Sequence, residues 1–168
     1  MKFSTMAGAT AEGVLVAVLC LVAGVAGRST TVPAEACQSM MPSHGHNAQL
    51  SQPPYNLIVR GNTQAINSPV NVVLAGAGPR DMFRGFFVKA FDDATGRAIG
   101  SFTNAPKTID CGGVATGAHH AGPSAKNSVT LTWQPPVGFT GSVSFMATVV
   151  QTMDTFWVGV VSKSVNFS

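Results

Sequence analysis

The chemistry-bearing residues of this sequence are few, and they fall in two matched groups. Cys37 is followed by His44 and His46, and Cys111 by His119 and His120. If the two cysteines are joined, the two histidine pairs come close together. A cluster of neutral imidazoles is a donor set that zinc or copper takes, so His44, His46, His119 and His120 are the candidate metal ligands. Loop histidines hydrogen-bonded beside a disulfide are the plainer reading, and no cofactor is expected.

Catalytic constellations are harder to find. Asp92 and Asp93 fall in a turn, and Asp110 and Asp154 flank strands without an obvious partner. The chain has no Gly-x-Ser-x-Gly elbow, no phosphate-cradling glycine loop and no His-Glu-x-x-His, the patterns that place a nucleophile, a nucleotide or a hydrolytic metal. The expectation is therefore a protein that is not an enzyme and acts by binding.

Basic residues are the remaining candidates. Arg80, Arg84, Lys107 and Lys126 lie near turns or strand ends, where they could meet an anionic ligand. Each is also readable as an ordinary solvated charge. No window holds a run of Lys or Arg, so the basic stripe of a nucleic-acid binder is missing. No cationic amphipathic helix suited to entering a membrane is visible either. Asn166-Phe167-Ser168 is a glycosylation sequon on the last three residues.

These residues need a scaffold, and the N-terminal stretch is not part of it. Lys2 precedes an apolar run, Val14–Val22, too short to cross a bilayer. Val25-Ala26-Gly27 supplies the small residues of a cleavage site, so residues 1–27 read as a secretory signal peptide. A cut after Ala36 is the alternative. Removing 27 of 168 residues leaves 141, enough for one domain with its own core, over 28–168. Lys2 and Glu12 leave with the leader, so the mature chain has 9 basic and 6 acidic residues, net +3.

Cys20 also leaves, and Cys37 and Cys111 remain. In an oxidising compartment they most simply pair with each other. Free thiols or a bond between two chains are the other possibilities.

The periodicity is that of strands. Tyr55–Val59, Pro69–Ala75 and Arg84–Phe91 are short apolar or aromatic runs. Asp92-Asp93-Ala94-Thr95-Gly96 reads as a hairpin turn, with Arg97–Phe102 as the returning strand. Residues 103–127 read as a long connection. Ser128–Gln134 turns Val129, Leu131 and Trp133 to one side, and Gly141–Gln151 does the same with Val143, Phe145, Ala147 and Val149. Phe156–Val165 reads as the closing strand, and residues 28–54 as an extended segment tied down at Cys37. About seven short strands with Gly/Pro turns predict an all-β, two-sheet antiparallel β-sandwich of immunoglobulin-like type.

Longer motifs point to a family. Cys37-Gln38-Ser39-Met40-Met41-Pro42-Ser43-His44 resembles the opening of a reeler domain. Arg84-Gly85-Phe86-Phe87-Val88-Lys89-Ala90, Ile99-Gly100-Ser101-Phe102, Cys111-Gly112, Thr116–His119 and Lys126 continue the likeness. Val129–Pro136, Gly141–Val150 and Phe156-Trp157 complete it, so it covers about residues 37–165.

The resemblance implies an extracellular β-sandwich with Cys37 bonded to Cys111. Reeler domains also occur in neuronal matrix proteins, spondins and ferric-chelate reductases. Alone behind a signal peptide, the domain resembles the arthropod defence proteins, including the nodulation protein of moth blood. That implies a secreted innate-immune protein, antimicrobial in role and acting in the defense response to bacterium, and a monomer is expected. Its expected partners are bacterial or fungal surface polymers, such as lipopolysaccharide and lipoteichoic acid, and the blood-cell surface. The alternative is an extracellular matrix or developmental adhesion module with a protein partner.

Overall fold

The computed structural model describes residues 30–168. The expected leader, residues 1–27, lies outside the described residues. One turn of helix, α1 (Ala36–Ser39), precedes eleven strands. These are β1 (Tyr55–Val59), β2 (Thr63–Gln64), β3 (Val70–Gly76), β4 (Gly85–Asp92), β5 (Ser101–Asn104) and β6 (Lys107–Ile109). Then come β7 (Gly117–His119), β8 (Ser128–Gln134), β9 (Gly141–Val150), β10 (Phe156–Val161) and β11 (Val165–Phe167).

The strands form two sheets. One has the order β1-β3-β8-β5, and the other β2-β11-β9-β4-β7-β6, with β10 also paired to β9. All pairings are antiparallel except β2 with β11. The sandwich core lies between the sheets. Val72, Leu74, Leu131 and Trp133 from one sheet meet Val88, Val143, Phe145, Ala147 and Val149 from the other, all fully buried. Trp133 stands edge-on to Phe145 with ring centroids 5.4 Å apart. Its indole N–H donates to the Ile99 carbonyl at 3.0 Å, as a buried indole requires.

Strand β4 is buried along both faces. Phe86, Val88 and Ala90 point into the sandwich. Phe87 points outward, where Ala36, Met40 and Val32 of the N-terminal segment cover it together with Ile109, Met146 and Val158. This explains why Gly85–Phe91 is apolar at every position but Lys89: a strand covered on both faces loses the alternation of a half-exposed one. The covering segment is fastened by the Cys37–Cys111 disulfide, with Cα atoms 5.3 Å apart. The buried Lys89 ammonium also donates to the Cys37 carbonyl.

Three expectations from the sequence are corrected. Arg97–Phe102 returns along β4 only as far as Ile99, where the Asp92 N–H donates to the Arg97 carbonyl at 2.9 Å and the Ile99 N–H to the Ala90 carbonyl at 3.1 Å. Beyond the Asp92–Gly96 turn only a Phe91–Ala98 bridge forms, and the chain then crosses to pair β5 with β8 in the opposite sheet. Gly100 makes the crossing, at φ +68° with the Trp133 ring directly against it. The connection 103–127 contains β6 and β7, each three residues long, which extend the β4 sheet. The closing run divides into β10 and β11, which share one edge of β9 with a bulge between Val158 and Val160.

Candidate ligand-binding site

The N-terminal segment covers β4 incompletely. Where it lifts away from the Gly85 end of that strand, a cavity of about 350 Å³ opens. Val32, Ala36 and Met40 form one wall, and Gly85, Phe86 and Val150 form the facing one. The latter are the terminal rungs of the β4–β9 ladder, where Gly85 pairs with Val150. A β-carbon on Gly85 would stand 3.3 Å from both the Val150 Cβ and the His120 ring. A side chain here would therefore press into the cavity wall. Met153, exposed on the β9–β10 turn, lies at the rim.

Thr31, Ser43, Thr148 and Thr152 bring hydroxyls to the lining, and a guanidinium and two imidazoles join them. Arg84, immediately before β4, lines the cavity and donates one guanidinium N–H to the Pro123 carbonyl at 3.2 Å. His120 lines it from the segment after β7, with Nδ1 3.2 Å from the Phe86 nitrogen and 3.1 Å from the Phe86 oxygen. His44 lines it from the segment after α1. The His44 ring is edge-on to Phe156 at 6.0 Å. Its Nδ1 is closed off from solvent with no hydrogen-bond partner among the described residues. The described lining residues include no carboxylate.

The sequence-predicted residues are thus brought together in part. His44 and His120, one from each cysteine-linked pair, share the cavity, while His46 is exposed. His119 is buried in β7, its Nδ1 2.8 Å from the His120 carbonyl oxygen. Among the described residues no three His, Cys, Asp or Glu side chains gather as metal ligands would.

The candidate cations divide. Lys126 donates to the Arg84 carbonyl at 2.8 Å and to the Ser124 carbonyl at 2.6 Å. Its amine is held below the usual lysine range by burial and then by the Arg84 charge. Arg80 is exposed on the turn between β3 and β4. Lys107 is on β6, across from His119, with its ammonium donating to the Thr30 carbonyl at 3.3 Å. Asn166 is exposed on β11, its backbone N–H bonded to Asn62 and its side-chain oxygen accepting from Ser142.

Met40, Val150 and Met153 escape sequence reasoning, because the cavity joins segments far apart in the chain. One signal was available: adjacent Phe86 and Phe87 on a strand need cover on both faces.

Residues 35–168 match the Reeler domain family. The chain belongs to that family. A Bombyx mori protein named for a role in defense is 38% identical over 144 residues, covering 82% of this chain and 84% of the relative. Defense protein l(2)34Fc of Drosophila melanogaster is 34% identical over 159 residues, covering 90% of this chain and 96% of the relative. Ferric-chelate reductase 1 of Bos taurus is 32% identical over 131 residues, but only 21% of its length is matched. Among solved structures, the human F-spondin reeler domain superposes with a TM-score of 0.58 at 18% identity, over 73% of this chain and 94% of that one. That likeness concerns the fold alone. Among the described residues, no helix is long and apolar enough to cross a membrane.

Proposed function

We propose that this reeler protein is a secreted, non-catalytic innate-immune protein that binds anionic microbial surface polymers, lipopolysaccharide and lipoteichoic acid among them, and so promotes nodulation. The observation that carries the reading is the pair of insect relatives named for defense, matched over more than four-fifths of both chains. A disulfide-fastened β-sandwich suits the extracellular space. A net charge of +3 on the full chain favours approach to phosphate-bearing polymers. The exposed Arg84, with Lys126 bonded to its carbonyl, is the charge this reading assigns to them.

Cosedimentation tests the reading. Mature protein recovered from insect-cell medium should pellet with Gram-negative and Gram-positive bacteria, and with yeast or host blood cells to an extent that defines its range. Binding to blood cells or matrix proteins with none to any microbe would replace the defence reading with an adhesion one.

A further inference from the structure

The geometry points to the cavity beside Gly85 as a site for the acyl chain of an anionic amphiphile, with the chain between the N-terminal segment and β4 and the head group at Arg84. This deepens the proposed function and rests on it only for the source of the lipid.

The cavity has the size of a small-ligand site, whose usual range begins near 300 Å³. Most of its lining surface is apolar, beside the hydroxyl-bearing Thr31, Ser43, Thr148 and Thr152, and unbranched thioethers such as Met40 and Met153 adapt readily to a flexible chain. The head-group end is chemically distinct. Arg84 spends one of its five N–H donors on Pro123, and a planar guanidinium matches a carboxylate or phosphate. The lack of any carboxylate among the described lining residues removes the group that would repel an anion. His44 also lines the cavity, through ring atoms other than its solvent-closed Nδ1.

Two natural sources share this chemistry: free fatty acids and the acyl chains of bacterial glycolipids. Calorimetric titration of the mature secreted protein with sodium dodecanoate, below its micelle concentration, tests the site itself. The expected result is one saturable site, weakening about fourfold for each methylene removed. Dodecyltrimethylammonium, with the same chain and a cationic head, should bind at least tenfold more weakly.

Arg84→Gln, a change at an exposed side chain, should cost about tenfold for dodecanoate. Val150→Trp, which fills the cavity, should abolish binding. If that variant does not fold, the chain-length series and Arg84→Gln decide alone. No dodecanoate binding, or binding indifferent to chain length and head charge, overturns the assignment. Competition by intact and alkali-deacylated lipopolysaccharide separates the sources. Displacement by the intact form alone assigns a glycolipid chain. Dodecanoate binding, with neither form binding the protein or competing, leaves a fatty-acid site and removes the microbial reading. Equal binding of both forms to the protein without displacement of dodecanoate keeps the microbial reading and rejects the cavity as its site.

Discussion

The Lys89 ammonium donates a hydrogen bond to the Cys37 carbonyl, so the residue that anchors the N-terminal segment by a disulfide is also held from β4. The two fastenings act on one segment, the one that covers Phe87 and walls the cavity. Replacing Cys37 and Cys111 together by serine should cost about 2–5 kcal/mol, and Lys89→Ala about 1–3 kcal/mol through the orphaned carbonyl and lost packing. Because both release the same segment, the triple variant should lose less than the sum. Urea unfolding midpoints measure all three; strict additivity would show that the fastenings are independent.

Gly100 should tolerate no side chain. Its φ of +68° is strained for an L residue, and a β-carbon there would lie 2.3 Å from the Trp133 ring and 2.5 Å from the Gln134 carbonyl oxygen. Neither the buried indole nor the β8 backbone can give way. Gly100→Ala should cost about 3 kcal/mol or more, read as a drop in thermal midpoint. Gly96→Ala, at a similar φ but with nothing within 4 Å, should cost clearly less.

Acid should weaken the fold through His119. Burial holds its imidazole below the usual histidine range; the hydrogen bond to the His120 carbonyl opposes this, and the His120 and Lys107 charges add to it. The unfolded chain therefore takes up a proton at a pH where the folded chain does not. The contribution is full above about pH 6.5 and is lost as pH falls from there towards the lowered folded value. His119→Phe should flatten the pH dependence of the denaturation midpoint between about pH 7.5 and 5. A variant with the wild-type slope would assign the acid sensitivity elsewhere.

How much of the structure is readable in the sequence depends on how local each signal is. Strands β1, β8 and β9 are legible because Leu57, Leu131, Trp133, Val143, Phe145 and Ala147 alternate with less buried neighbours. The Asp92–Gly96 turn is legible too: Asp92 accepts from the Ala94 N–H and the Thr95 hydroxyl, and Gly96 has φ +67°. The chain's path beyond that turn is not legible, because the crossing at Gly100 depends on Trp133, over thirty residues later. Strands β6 and β7 are too short to show a period, and Gly117 and Lys107 resemble loop residues. The cysteine pair is visible from counting, and it draws His44 and His120 towards each other. Their shared cavity is not visible, since its facing wall comes from the ends of β4 and β9.

The exposed arginines on the β3–β4 turn and just before β4 should govern capture of anionic polymer. Arg80→Ala with Arg84→Ala should leave the thermal midpoint nearly unchanged, since both side chains are exposed. The double variant should retain less protein on bacteria at low salt, measured by the same cosedimentation. Unchanged retention would place the contact on another face.

The most direct measurement is binding of the purified, oxidised mature protein to immobilised lipopolysaccharide and lipoteichoic acid, monitored by surface plasmon resonance. Salt shortens the Debye length from about 10 Å at 0.1 M to about 3 Å at 1 M. The account predicts saturable binding to both polymers at 0.1 M salt, weakened but not abolished at 1 M, where an apolar contact persists. No binding to either polymer at 0.1 M salt would contradict it.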